Sequence, residues 1–146
     1  MVEEKINIYQ ADKFSEQLLH SINKLLVQLS PTIEMLNKNA FNQIITSKNS
    51  KLFIAECNNQ ICGMFTLVVV KIPTVIKTVI EDMVVDINFR GKGIGKILVK
   101  EAIKQSKSVG AKFINLTSSP QRQTANGLYQ KMGFIQRNTN AYVLEI

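Results

Sequence analysis

The chain has 146 residues, of which 45% are hydrophobic and 20% charged, with seven glycines, three prolines and a net charge of +7. A length near the ~100–150 residues of a common domain fits one domain spanning 1–146 with a core of its own, and the mixed composition excludes disordered and collagen-like chains. The longest apolar stretch, Met64–Val70, is a strand's length and far short of the ~20 residues a membrane span requires. The opening Met1-Val2-Glu3-Glu4-Lys5 is acidic and leads into no signal-type apolar run, so a soluble, cytoplasmic protein with no membrane contact is expected.

In chain order, residues 5–10 alternate apolar and polar, the period of a strand. Asp12 reads as an N-cap, and Phe14, Leu18, Ile22, Leu25, Leu26 and Leu29 then recur at helical spacing up to a break at Ser30-Pro31. His20 lies off that stripe and reads as an exposed helix residue. Ile33, Leu36, Ala40, Phe41, Ile44 and Ile45 predict a second, weaker amphipathic helix. Two strands follow, 52–56 and 62–70, joined by a turn at Asn58-Asn59. After a loop at Lys71-Ile72-Pro73-Thr74 comes a third strand, 78–85, which leads into a glycine-rich segment. A helix over 94–109 closed by Gly110, a strand over 112–117 and a helix over 123–132 closed by Gly133 come next. Two short strands, 134–136 and 141–144, complete one mixed α/β domain.

Cys57 and Cys62 are too few for a disulfide scaffold and too isolated for a zinc site, and with no ligand cluster elsewhere no metal is expected. A hairpin placing Cys57 opposite Cys62 would bring their Cα atoms to ~4.5–5.5 Å, within disulfide reach. A reducing compartment favours two buried thiols instead.

Most of the excess positive charge sits in 90–112, where seven basic residues face Glu101 alone. Lys96, Lys100 and Lys104 fall at four-residue intervals, the pattern of a solvated helix face. No aromatic residues alternate with these lysines as a base-stacking platform would require, so nucleic acid is not an expected partner.

Arg90-Gly91-Lys92-Gly93-Ile94-Gly95 lies between a predicted strand and a predicted helix. Glycines there let backbone N–H groups turn toward a ligand, and the first N–H groups of the helix are unpaired, which together make a phosphate cradle. The Walker spacing fails because Lys96 precedes Ile97 rather than Ser or Thr, and the G-x-G-x-x-G dinucleotide spacing fails as well. A glycine turn without a ligand is the remaining plain reading.

The segment resembles the Arg/Gln-x-x-Gly-x-Gly/Ala signature of the GNAT N-acetyltransferase superfamily, carried here by Arg90, Gly93 and Gly95. The strand Ile80-Glu81-Asp82-Met83-Val84-Val85-Asp86 precedes it. Ala125-Asn126-Gly127-Leu128-Tyr129-Gln130-Lys131-Met132-Gly133-Phe134 follows it and is similar to the superfamily's A-N-x-L-Y-x-K-x-G-F. The specific resemblance covers roughly 78–135.

It implies an α/β acyl-CoA N-acyltransferase fold: a mixed, mostly antiparallel sheet with a splayed parallel strand pair, flanked by about four helices. It further implies acetyl-CoA as cosubstrate, its pyrophosphate on Arg90, Gly91, Lys92, Gly93, Ile94, Gly95 and Lys96 and its pantetheine arm along Met83, Val84 and Val85. Asn126 would hydrogen-bond the cosubstrate, and Tyr129 would face the departing thiolate. Full proton transfer from tyrosine (pKa ~10) to a thiolate (~8.5) runs uphill by ~2 kcal/mol, which favours a hydrogen bond. A primary amine acceptor with pKa ~10.4 is only ~0.04% neutral at pH 7, a deficit of ~4.6 kcal/mol, so a base is needed. Glu81 is the first candidate and Asp82 the second, because neighbouring strand residues point to opposite faces unless a bulge intervenes. An acyl-CoA-binding regulatory module without turnover is the alternative reading. Many members of the superfamily dimerise, which leaves a homodimer through the terminal strands open.

Overall fold

The computed structural model describes residues 5–146; most of the acidic opening segment, 1–4, lies outside them. Strand β1 (Ile6–Gln10) leads to helices α1 (Glu16–Leu29) and α2 (Lys38–Ile45). Strands β2 (Ser50–Cys57), β3 (Gln60–Ile72) and β4 (Val75–Val85) form a meander, followed by a 3₁₀ turn at Ile87–Phe89. Helix α3 (Ile94–Ser108), the two-residue strand β5 (Ile114–Asn115) and helix α4 (Gln123–Lys131) complete the order. The sheet runs β1-β2-β3-β4-β5, with every pair antiparallel except β4 and β5. The expected mixed sheet with four helices and one parallel pair is thus what forms.

Both faces of the sheet are covered, and β2 shows why. Leu52 and Ile54 point to one side and Phe53 and Ala55 to the other, and all four are buried. Phe53 stacks on Phe65 at 4.9 Å in the cluster under α3 and α4, which also holds Leu67, Leu98, Val99 and Tyr129. Leu52 and Ile54 join Leu18, Ile22, Leu25 and Phe41 under α1 and α2. Each large side chain removed from water in these layers contributes ~1.5–3 kcal/mol. Among the described residues no helix is long and apolar enough to cross a membrane. Lys96, Lys100, Lys104 and His20 are exposed, the solvated positions their spacing suggested.

Several boundaries differ from the sequence expectation. Ser15, not Asp12, caps α1, its Oγ accepting from the Leu18 N–H at 3.0 Å. Phe14 therefore precedes the helix, although its ring still packs edge-on against Phe41 at 5.8 Å. Helix α2 starts only after its Asn37 cap, so Ile33 and Leu36 belong to the connection. That connection is fixed by the buried Asn23 of α1, whose side chain both donates to Leu36 O (2.9 Å) and accepts from Leu36 N (2.8 Å). The loop expected at 71–74 shrinks to Pro73-Thr74, with Ile72 paired to Val75.

At the other hairpin, Asn58 and Asn59 both take positive φ (51° and 62°), the two-residue turn whose twist matches its strands. The two-residue turn sets Cys57 opposite Gln60, so Cys62 lies two positions further along β3 and the expected register of Cys57 opposite Cys62 does not occur. Both side chains are buried. The strand expected over 112–117 pairs only at Ile114 and Asn115, and 134–136 and 141–144 form no strand. An extended segment needs a neighbour for its backbone groups, and among the described residues 134–136 and 141–144 have no partner strand.

Candidate active site

The site is built where β4 and β5 part. They pair at Thr78–Ile114 and Val79–Asn115 and no further, so β4 from Ile80 onward has no strand on that side among the described residues. The first of these pairs is held to α3 by a buried hydrogen bond of 2.6 Å between Thr78 Oγ1 and Ser106 Oγ. Beyond it a cavity of about 370 Å³ opens between Ile80–Met83 on one wall and Leu116 and Thr117 on the other. Tyr129 and Arg122 close one end, and Leu29, Ser30 and Ile33 cover the mouth. A larger hollow of about 600 Å³ lies between α1 and the β2–β3 turn, and none of the sequence-predicted site residues lines it.

A bulge shapes the β4 wall. Met64 pairs with Val84 and Thr66 with Glu81, so β4 carries one residue more than β3 across this interval. Asp82 takes the left-handed conformation there (φ 50°), which an aspartate tolerates better than most side chains. The extra residue carries Met83 to the same face as Ile80, into the α3 cluster, while Val84 turns to the α1 side. As a result Glu81 and Asp82, although adjacent, both line the cavity and are both exposed.

Tyr129 enters from α4 and is only 7% exposed. Its ring packs edge-on against Phe134 at 5.9 Å, and its hydroxyl donates to the Met83 sulfur at 3.9 Å, a weak acceptor. Burial pushes its pKa above the ordinary tyrosine value, and the nearby Arg122 guanidinium offsets this in part. The hydroxyl therefore stays protonated, a hydrogen-bond donor aimed at sulfur.

The glycine-rich segment lies at the far end of β4. Gly91 and Gly93 take positive φ (79° and 81°), and a Cβ at either would project into open space. Gly93 is the N-cap of α3 and supplies no side-chain bond, so the first N–H groups of that helix, at Ile94, Gly95 and Lys96, point outward with the positive end of the helix dipole. Arg90 turns back on the strand, its Nε donating to Val85 O at 3.0 Å, and the Lys92 ammonium lies 5.5 Å from the centre of the Phe89 ring. Gly95 serves a different purpose: a Cβ there would sit 3.1 Å from Leu128 of α4. Asn126 is outside the cavity, and its amide holds the loop before α4 by donating to Ser119 O at 3.0 Å.

Three positions were invisible to motif reading. Gln28 of α1 donates to Asp86 (3.2 Å) and accepts from the Ile87 N–H (2.8 Å), holding the turn that delivers the glycine loop. Arg122 has no motif of its own, and its place in the cavity lining and its charge near Tyr129 reveal it. Ser118 Oγ is the third, the one buried side-chain polar atom that makes no hydrogen bond among the described residues. An unpaired buried hydroxyl costs ~1–3 kcal/mol. Ser118→Ala is therefore expected to raise stability by about 1 kcal/mol in urea unfolding, and a loss of stability would show the hydroxyl to be satisfied.

The sequence profile described as the acetyltransferase (GNAT) family matches residues 16–134, which takes in the cavity, the glycine loop and α4. The chain belongs to the GNAT acetyltransferase family. Its fold is the GNAT fold, with the parallel β4–β5 pair parting at the cavity. A transcriptional regulator from Bacillus halodurans is 27% identical, with a TM-score of 0.85 over 97% of this chain and 100% of that one. AAC(6')-Iy in complex with the bisubstrate analog CoA-S-monomethyl-acetylneamine is 17% identical, with a TM-score of 0.78 over 97% and 99%. Ribosomal-protein-alanine N-acetyltransferase from Brucella melitensis is 14% identical, with a TM-score of 0.78 over 97% and 99%. Comparison with curated protein sequences gives no match.

Proposed function

We propose that this GNAT protein is an acetyl-CoA-dependent N-acetyltransferase that acetylates a primary amine by direct transfer in a ternary complex. One observation carries the reading: Glu81 and the buried Tyr129 hydroxyl line the same cavity at the fork of β4 and β5. The residues present fit acetyl-CoA. The outward N–H groups of Ile94, Gly95 and Lys96, with Gly91 and Gly93 leaving room for close approach, suit a diphosphate, and Arg90, Lys92 and Lys96 add positive charge around it. The edge of β4 at Met83, Val84 and Val85 lacks a strand on the β5 side among the described residues, which suits an extended pantetheine arm. Asn126 lies outside the cavity with its amide nitrogen fastened to Ser119, and its Oδ1 would be a further polar contact for the cosubstrate.

When bound, acetyl-CoA supplies the acyl group as a thioester. Glu81 takes the proton from the incoming ammonium group, so that a neutral amine nitrogen reaches the carbonyl carbon. A C–N bond forms, the C–S bond breaks, the nitrogen's second proton passes to the departing sulfur so that coenzyme A leaves as the thiol, and Tyr129 donates a hydrogen bond to that sulfur as it departs. With its pKa raised by burial the tyrosine keeps its proton through the reaction. Asp82 is the second carboxylate of the cavity, and its left-handed backbone shapes the bulge that sets where Met83 and Glu81 point. The two carboxylates on the β4 wall of the cavity favour a cationic acceptor.

The test measures free thiol released from acetyl-CoA by the purified protein against a panel of polyamines, aminoglycosides and peptides with a free N-terminus. Amine-dependent thiol release is expected. Tight coenzyme A binding in calorimetry without release for any amine would instead support the regulatory module.

A further inference from the structure

The charged side chains that line the cavity at the fork of β4 and β5 are Glu81 and Asp82 on the β4 wall and Arg122 at the end where Tyr129 stands. All are exposed. Among the described residues none of them takes part in an ion pair or a side-chain hydrogen bond. The guanidinium is nevertheless felt at the Tyr129 hydroxyl, so its charge reaches the reacting end of the cavity.

Charges of opposite sign that share a cavity without pairing with each other complement a molecule that carries the reciprocal pair. An ammonium group answers the carboxylates. A purely cationic amine, however, meets the guanidinium as a like charge and leaves it without a partner. An amine that also carries a carboxylate or a phosphate satisfies both ends, because the planar fork of arginine matches either group with two parallel N–H donors. The volume of about 370 Å³ lies at the lower end of the ~300–1,000 Å³ of ligand pockets, which suits a small molecule.

We propose that the acceptor is a small zwitterion, with its primary amine presented to Glu81 and its anionic group, a carboxylate or a phosphate, held by Arg122. The inference rests on the acetyl-transfer reading and narrows its acceptor. The ammonium end is the cationic part that the two carboxylates favour. Arg122 grips the part of the acceptor that does not react, and Tyr129 beside it stays turned to sulfur. Holding both ends fixes the reacting nitrogen between them.

Matched acceptors that differ only in the anionic group test it: tyramine against tyrosine, cadaverine against lysine, and ethanolamine against O-phosphoethanolamine. The two amino-acid pairs report on a carboxylate and the third on a phosphate. In thiol release from acetyl-CoA, kcat/KM is expected to favour the anionic member of at least one pair by ~10–150-fold, the worth of a hydrogen bond to a charged group. Arg122→Gln is expected to bring that ratio close to one, and the ratio cancels any general effect of the substitution on turnover. The same compounds are titrated calorimetrically into protein saturated with coenzyme A, where no transfer can occur. Thiol release without an anionic preference, or a preference that survives Arg122→Gln, overturns the proposal and leaves acetyl transfer standing. A calorimetric preference with no thiol release for any amine supports the zwitterion site and rejects acetyl transfer. Neither release nor a binding preference overturns both. Should Arg122→Gln fail to fold, the ratios of the parent protein decide alone.

Discussion

Glu81→Gln is expected to lower kcat at pH 7 by ~10²–10⁴-fold, the range a positioned general base supplies, with little change in acetyl-CoA affinity. The substitution keeps the size and hydrogen-bonding capacity of the side chain and removes only its ability to take a proton. The amine must then shed its proton to solvent. Activity of the variant should therefore climb with pH toward the acceptor's own pKa and narrow the gap to the parent protein, a recovery that a purely structural defect would not produce. Asp82 supplies the control. Its φ of 50° suits glycine, so Asp82→Gly preserves the bulge while deleting the second carboxylate. Near-parental kcat is expected for that variant. If Asp82→Gly were the inactive one and Glu81→Gln retained full rate, the roles assigned to the two carboxylates would be reversed.

Tyr129→Phe is expected to cost ~10–150-fold in kcat, the equivalent of the ~1.5–3 kcal/mol that a hydrogen bond to a charged partner contributes. Stability should hardly move, because the hydroxyl's acceptor within the protein is a thioether at 3.9 Å and the ring stays packed against Phe134. Loss of coenzyme A binding in this variant would falsify the role given to the hydroxyl. The pH dependence provides an independent check. Burial raises the Tyr129 pKa in the folded chain, so the folded state holds this proton more tightly than the unfolded state does. That contribution is complete below pH ~10, where an exposed tyrosine is still protonated, and fades as pH rises through the folded value. Thermal unfolding above pH 10 should show a steeper decline for the parent protein than for Tyr129→Phe. Tyr9, whose pKa burial and Glu56 also raise, contributes equally to both.

The glycine loop, α3 and α4 were legible in the sequence because each rests on local chemistry. Gly110 and Gly133, both at positive φ, close helices whose apolar faces recur at the right spacing. Phe14 misled because its period reported burial against Phe41, not helical backbone, and the Ser15 hydroxyl decided where α1 begins. The strand over 112–117 has the right residues and lacks a partner past Asn115, since β4 has turned away by then. The bulge at Asp82 is a mismatch between two strands and has no signature in either one. Gln28 and Arg122 matter through partners 58 or more and seven positions away, respectively, which no single stretch of sequence displays.

The contact between Gly95 and Leu128 gives the two ends of the site a common mechanical fate. A methyl group at position 95 would meet Leu128 Cδ2 at 3.1 Å, so the end of the leucine must give by a few tenths of an ångström. Because Tyr129 follows Leu128 on the same turn, any part of that displacement passed on to the α4 backbone reaches the hydroxyl beside Met83. The anion-cradling end and the opposite end are thereby linked through one leucine side chain.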